Sequence, residues 1–212
     1  MDVHPPHQPI HTWRDFFIHL ITITIGLLIA LSLEGLVEMV HHHNLVNEAR
    51  ADLRSEMMSN HTRVAGNLAE VRADEARIGD DIKMLRAIQA GRKLKSSSSL
   101  TYAFRWNSLG NSAWKTAASS GALIYLDFES ARDMAEVYSM QDDLVSSTAL
   151  RLQRDHLLAS APILVQDDPT KSTKEALQLS LQRSADLFMD LKTLEQLLVE
   201  LDQQYTQELA KL

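Results

Sequence analysis

The chain contains no cysteine among its 212 residues. Structural disulfides, thiolate catalysis and zinc sites built on cysteine are therefore excluded. A chain without cysteine fits either side of a bacterial inner membrane and selects neither.

Glycine and proline are also scarce, with seven and five residues. These two residue types interrupt helices most strongly, whereas leucine, alanine, glutamine, glutamate and arginine, which favour helices, are abundant. The composition therefore predicts an all-α protein.

Positive charge is in the minority, with 21 basic against 28 acidic residues and a net charge of −7. One of the basic and four of the acidic residues precede His41, which leaves 20 and 24 in the rest of the chain, a net charge of −4. A mildly acidic surface of mixed charge disfavours nucleic acid as the main partner.

A long apolar run begins at Phe16, and the eighteen residues to Leu33 carry no formal charge. A helix of that length rises about 27 Å, close to the thickness of ~30 Å of a hydrocarbon core. A helix buried in a globular core is the alternative, but such helices rarely run this far without a charge. We predict a single transmembrane helix over 16–40, preceded by an extended tail over 1–15.

No cleavage site with small residues comes after the apolar run, so we expect it to stay attached to the mature protein. Too few basic residues flank it to decide its orientation. An uncleaved apolar segment after a short tail usually exports the chain on its C-terminal side. We therefore expect a single-pass protein of the bacterial inner membrane with a periplasmic C-terminal domain.

One face of this helix repeats every four residues. Its first half has small side chains, which let helix backbones approach closely in lipid, and its second half has two carboxylates and an imidazole. We predict that this stripe packs against other helices and carries interactions: Thr22, Gly26, Ala30, Glu34, Glu38 and His42.

The spacing of Glu38 and His41 matches half of a carboxylate-bridged dimetal site. Such a site needs a second Glu-x-x-His pair, and the sequence has none. A metal held between subunits by Glu34, Glu38 and His42 of several chains is the alternative. Polar residues at a membrane exit explain the pattern more simply, so no metal ligand is predicted.

The segment 45–90 has the pattern of a long amphipathic helix, followed by a basic, serine-rich loop over 91–99. Spacings of four and three residues alternate along it, as in a coiled-coil seam. His61 and Glu75 are the polar residues on this seam, and they indicate either a buried ligand or a device that fixes the register of the helices, or else a seam that is locally wet or shifted. The predicted seam is Met57, His61, Val64, Leu68, Val71, Glu75, Ile78, Ile82 and Leu85.

The segment 101–128 concentrates aromatic residues and lacks a regular period. Asn111 or Ser112 is placed to cap a short helix that ends near a glycine. We predict a compact cap over the end of a helix bundle, with a ligand pocket as the alternative. The residues assigned to this structural cap are Trp106, Trp114, Gly121 and Tyr138.

Two further helices are predicted, over 129–160 and 172–212. Ala161 and Pro162 should end the first, and the capping box from Ser172 to Glu175 should begin the second. The helical bundle domain, 41–212, is then an elongated antiparallel bundle of three main helices: the first runs out, the 101–160 region returns, and the last runs out again.

Ser112 and Lys115 match the S-x-x-K motif of penicillin-binding enzymes, but the S-D-N and K-T-G motifs that accompany it are missing. No phosphate-binding loop, dinucleotide fingerprint or metalloprotease motif occurs either. We therefore predict no catalytic residue, no cofactor and no enzymatic activity.

Two stretches resemble a family of uncharacterised bacterial single-span membrane proteins. The first is the apolar segment with its flanks, and the second is an aromatic-x-Thr-Ala motif followed by Gly-Ala-Leu and Tyr-x-x-Gln. The second motif falls on Trp114, Thr116, Ala117, Gly121, Ala122, Leu123, Tyr138 and Gln141. The resemblance implies an inner-membrane helical protein and brings no established activity.

The sequence thus favours a membrane-anchored structural or interaction protein. It would form a homo-oligomer or serve as an accessory subunit of a larger membrane complex, with the lipid bilayer and the other subunits as its partners. The alternative is a single-span sensor whose helical bundle binds a ligand.

Overall fold

A computed structural model describes residues 13–92, 104–144, 150–164 and 169–211. The described residues form helices and irregular segments without a strand, so the all-α prediction is confirmed. The helices are α1 (Trp13–Gln89), α2 (Ser112–Ser119), α3 (Phe128–Asp143), α4 (Leu150–Leu164) and α5 (Lys174–Lys211). The predicted tail lies largely outside the described residues, as does most of the predicted loop over 91–99.

The chain divides into two compact units, Met1–Glu48 and Ala49–Leu212, here called unit 1 and unit 2. Unit 1 contains the first part of α1, and all side chains from residue 13 to 41 are exposed. By length and composition, this helix could cross a membrane. The hydroxyl groups of Thr22, Thr24 and Ser32 donate to the carbonyl four residues earlier, at 2.7–2.8 Å, so these polar groups are paired within the helix.

Unit 2 is organised around the remainder of α1. Its apolar seam repeats every seven residues, and each member is fully buried: Met57, Val64, Val71, Ile78 and Leu85. These five positions of the predicted seam are confirmed.

The second row of the seam differs from the prediction. It runs one residue earlier, and four of its six buried members are polar or acidic: Leu53, Asn60, Asn67, Asp74, Asp81 and Ile88. His61, Leu68 and Ile82 are therefore only half-buried, and the polar residue His61 marks a shifted seam. Glu75, the other polar residue of the predicted seam, is buried as predicted and pairs with Lys192 of α5. The apolar pattern pointed to the wrong row because two members of the true row, Asn60 and Asn67, are buried through bonds to backbone groups, as described below.

Helix α5 runs antiparallel to α1. The Arg72 Nε atom lies 2.7 Å from Glu195 Oε1, and His61 Nε2 lies 3.0 Å from Asp202 Oδ1. Its buried face carries a leucine stripe close to the predicted one: Leu177, Leu187, Leu191, Leu194, Leu198, Leu201 and Tyr205. The helix is capped by Thr173, whose Oγ1 accepts from the Ala176 N–H at 3.2 Å, so the cap lies one residue after the predicted Ser172.

Helix α3 runs parallel to α1, since Tyr138 pairs with Glu56 and Gln141 pairs with Asn60. The predicted antiparallel return of the 101–160 region is therefore wrong for this helix. The return is made earlier, by the segment 104–119. Extended backbone covers about twice the distance per residue of a helix, so few residues are needed for it.

The described parts of the predicted helix over 129–160 are α3 and α4, and residues 145–149 lie outside the described part. Helix α4 also continues to Leu164, past Pro162, where the sequence predicted an end. Proline cannot donate to the carbonyl four residues earlier, which here is Leu158. That carbonyl instead accepts from Arg183 Nη1 of α5 at 2.8 Å, which helps the helix to tolerate the proline.

Candidate functional site

A segment without regular secondary structure, residues 104–111, lies against α1 and is held by two asparagines of that helix. We call it the strap. The Asn67 side chain donates to the Asn107 carbonyl at 2.9 Å and accepts from the Asn107 N–H at 2.8 Å. Asn60 makes the same pair of bonds with Gly110, at 2.7 and 2.8 Å. Each side-chain amide thus replaces the neighbouring strand that an extended backbone would otherwise require.

We call the hydrogen bonds of Asn60 and Asn67 to the strap the two asparagine clamps. Both can form at once because the two backbones have matching spacings. Asn60 and Asn67 are seven helical residues apart, a rise of about 10.5 Å. Asn107 and Gly110 are three extended residues apart, a span of about 10 Å. The spacing therefore fixes the register of the strap on α1.

Gly110 lies at the centre of a buried hydrogen-bond network that joins three helices. Its carbonyl accepts from Asn60 Nδ2 and from Gln141 Nε2, the latter at 2.9 Å. Gln141 Oε1 accepts from Asn60 Nδ2 at 3.0 Å and from the Tyr205 hydroxyl. A β-carbon at position 110 would lie 3.3 Å from a carboxylate oxygen of Glu56, so a glycine suits this close approach. We refer to these contacts as the Asn60–Gln141 network.

Glu56 caps α2 from a different helix. Its Oε2 atom accepts from the Ala113 N–H at 2.9 Å and from the Ser112 hydroxyl at 2.7 Å. Asn111 is the N-cap residue by position, but its side chain makes no capping bond and donates instead to Asp142. A carboxylate is a favourable cap because the unpaired N–H groups of a helix N-terminus carry partial positive charge.

The other oxygen of Glu56 accepts from the Tyr138 hydroxyl at 2.8 Å. Burial by itself would raise the pKa of Glu56, but the hydrogen bonds from Ala113, Ser112 and Tyr138 outweigh it and lower that pKa. Burial and the bond to Glu56 raise the pKa of Tyr138, and burial raises the pKa of Tyr205. The carboxylate is therefore charged and both phenols are neutral at pH 7.

The structure brings two of the four predicted cap residues together. The Trp114 ring stacks on Tyr138, with centroids 5.2 Å apart and planes inclined by 16°. Trp106 stacks on Phe104 in the strap instead, with centroids 6.2 Å apart. Gly121 ends the turn after α2 with a φ of 77°, a conformation that favours glycine. These residues lie along the side of α1, because the segment contacts it from Asn67 to Arg50.

The residues of the predicted membrane stripe lie in unit 1, at successive turns of α1. Five of them are exposed, and His42 is half-buried, with Nε2 3.8 Å from Glu38 Oε1. A β-carbon on Gly26 would meet no atom within 4 Å. The stripe is therefore an open surface in the single chain, with room for a neighbouring helix.

Two open grooves accompany the network in unit 2. One, of about 430 Å³, lies beside Glu56 and has a polar lining that includes Asp52, Ser59 and Arg63. The other, of about 490 Å³, lies between α3 and α5 and is lined by residues that include Met140, Leu144, Leu197 and Gln204.

Sequence reasoning missed Glu56, Asn60, Asn67 and Tyr205 as site residues. The seven-residue repeat of Asn60, Asn67, Asp74 and Asp81 was the available signal. Polar residues that keep the period of a buried seam indicate a core row with polar partners. A search for apolar periodicity passes over such a row.

Comparisons of the chain with protein-family models, curated proteins and solved structures gave no match. The resemblance based on the apolar segment and on the motif from Trp114 to Gln141 therefore stays a prediction.

Proposed function

We propose that this protein is a membrane-anchored interaction protein, which self-assembles or serves as an accessory subunit of a larger membrane complex. The observation that carries the proposal is the exposure of every side chain from residue 13 to 41, including the uncharged run that begins at Phe16. Such a surface needs lipid or other helices to cover it.

The arrangement of unit 2 supports an interaction role over catalysis. The Asn60–Gln141 network joins α1, α3, α5 and the strap through neutral amides and phenols, and it positions no nucleophile. Glu56, a charged group beside it, already accepts three hydrogen bonds. These hydrogen bonds fix the helices and the strap relative to one another, and a binding module requires such a rigid surface.

The membrane stripe supports assembly as the interaction. Thr22, Gly26 and Ala30 are small enough for close helix packing, whereas Glu34 and Glu38 are costly unless they face water or a partner. A surface that combines these features favours a neighbouring helix over lipid along this face.

The test is the mass of the intact particle after purification in a mild detergent. We expect a discrete homo-oligomer, or a complex with other membrane subunits. A monomer at every detergent concentration would contradict the proposal. A monomer that also carries a bound metabolite would favour the sensor, with the groove between α3 and α5 as its candidate site.

Orientation is tested separately, and the absence of natural cysteines makes the test direct. Met189 is exposed on α5, so a Met189→Cys chain has one reactive thiol in unit 2. Expressed in bacterial cells, it should react with a membrane-impermeant maleimide without cell lysis if unit 2 is periplasmic. Labelling only after lysis would place unit 2 in the cytoplasm.

A further inference from the structure

Unit 2 exposes three large apolar side chains within five residues, two in the turn after α2 and one at the first residue of α3. Ile124 and Phe128 are each 80% exposed and Tyr125 is 47% exposed. We call these three residues the apolar patch.

The turn that carries the apolar patch is fixed to unit 2. Ala122 and Leu126, on either side of Ile124 and Tyr125, are buried. Asp127 accepts from the Ser130 N–H at 2.9 Å and caps α3. The three exposed side chains are therefore held in a fixed position by backbone that packs on unit 2.

The patch lies at the end of unit 2 where the chain enters it. Asp127 Oδ2 lies 3.6 Å from Arg50 Nη2, and unit 2 begins at Ala49. Arg50 lies ten positions after Val40, the end of the predicted membrane span. Ten residues of chain reach at most about 36 Å, so the tether keeps this end of unit 2 within reach of the bilayer surface.

The chemistry of the patch suits the interface between lipid and water. Aromatic side chains are enriched at the headgroup level, where their rings are partly buried. A second protein chain suits it less well, because a stable protein interface buries about 1,200 Å² or more in total, which is about 600 Å² on each partner. The exposed parts of the three side chains, 80%, 47% and 80% of about 150–250 Å² each, provide only about 300–500 Å². A tethered domain needs no such area to contact the bilayer, because the tether keeps its local concentration high.

We propose that the apolar patch inserts into the headgroup region of the bilayer and gives unit 2 a second attachment to the membrane. This inference rests on the proposed function, since it requires that the apolar segment spans the bilayer.

The test uses the full chain in phosphatidylcholine vesicles, with one cysteine introduced at a time and labelled with an environment-sensitive fluorophore. Ile124→Cys and Phe128→Cys report on the patch, and each keeps the other two patch residues. Leu28→Cys reports on the span. Met189→Cys is the matched exposed control, because it lies on α5 next to Phe188, which faces Gly79 of α1, far along that helix from Arg50.

Vesicles with a quencher attached to the lipid should remove most of the emission at positions 28, 124 and 128 and little at position 189. If position 28 is quenched while 124 and 128 behave like 189, the inference fails and the membrane span stands. If 28 is not quenched, the proposed function fails and the inference with it. Probes at 124 that are shielded from aqueous iodide but not quenched by lipid, or disulfide-linked dimers through 124, would identify a protein partner and overturn the inference.

Discussion

At the scale of single residues, Asn60 shows how a polar side chain can belong to a core. Its amide bonds both backbone groups of Gly110 and the side chain of Gln141, and the residue is fully buried. Truncation would leave several buried groups without partners, which costs more than the bonds themselves contribute.

Asn60→Ala should therefore lower the free energy of unfolding of unit 2 by about 2–4 kcal/mol. Urea titration of the full chain in detergent, followed by tryptophan fluorescence, measures it through Trp106 and Trp114. Asn47→Ala, an exposed asparagine on the same helix, should stay within about 0.5 kcal/mol of the wild type. Equal effects of the two substitutions would show that Asn60 does not hold the strap.

A second prediction at this scale concerns Glu56 and the pH dependence of stability. The folded-state pKa of Glu56 lies below the ordinary value of 4.5. The folded protein binds this proton less tightly than the unfolded chain does. The carboxylate therefore stabilises the fold above pH 4.5, and the contribution is lost as the pH falls through the folded-state pKa.

Glu56→Gln should lower the urea midpoint at pH 7, and the gap from wild type should shrink at pH values below 4.5. An amide has only one acceptor oxygen and no negative charge, so it cannot accept from both α2 and Tyr138 as the two carboxylate oxygens do, and it loses the favourable charge at the helix N-terminus. Glu48→Gln, at an exposed position of the same helix, provides the control for general charge effects. A gap that stays constant from pH 7 to the acid limit would rule out the carboxylate as the cap.

At the scale of elements, Pro162 and Arg183 form a pair that the sequence does not reveal. Arg183 donates to the carbonyl that Pro162 cannot reach. Arg183→Ala should therefore destabilise the protein in the wild-type background and have almost no effect beside Pro162→Ala, because an alanine N–H can take over the Leu158 carbonyl.

A double-mutant cycle measures this coupling, which we expect to be about 0.5–1.5 kcal/mol. The urea midpoints of the four proteins suffice. Additive effects would mean that the guanidinium stabilises α4 by some other route than the freed carbonyl.

The elements also show what the sequence could and could not predict. Apolar periodicity located α5 and the row from Met57 to Leu85, since these helices are buried by leucine-like side chains. It failed for the row of Asn60 and Asn67, whose burial depends on a backbone partner 40 to 50 residues away. It also failed at Pro162, where the compensating group is on another helix. Local apolar periodicity therefore predicted which segments are helical. The ends and directions of the helices depend on polar partners that are distant in the sequence.

At the scale of the whole molecule, the proposed assembly depends on one face of the apolar segment. Gly26 lies on the membrane stripe, and Gly35, nine residues later, lies on the opposite face because each residue turns the helix by about 100°. A β-carbon added to either glycine would meet no atom within 4 Å in the single chain. The two sites therefore allow the same substitution on opposite faces.

Gly26→Leu should reduce the oligomer or complex in detergent, because its bulk blocks close approach of backbones, and Gly35→Leu should not. Membrane insertion should be unchanged in both. Particle mass and cross-linking of the two variants measure the effect. Identical behaviour of the two would show that the stripe faces lipid.

The two asparagine clamps have a consequence for how such chains can change length in evolution. Seven residues of α1 match three residues of the strap, so an insertion or deletion in one member of this pairing shifts every clamp beyond it. A relative that gains one heptad between its asparagines must gain three residues between the backbone partners, or lose a clamp. Lengths of the two segments should therefore be inherited together, in the ratio of seven to three, even where the residues between the clamps are free to vary.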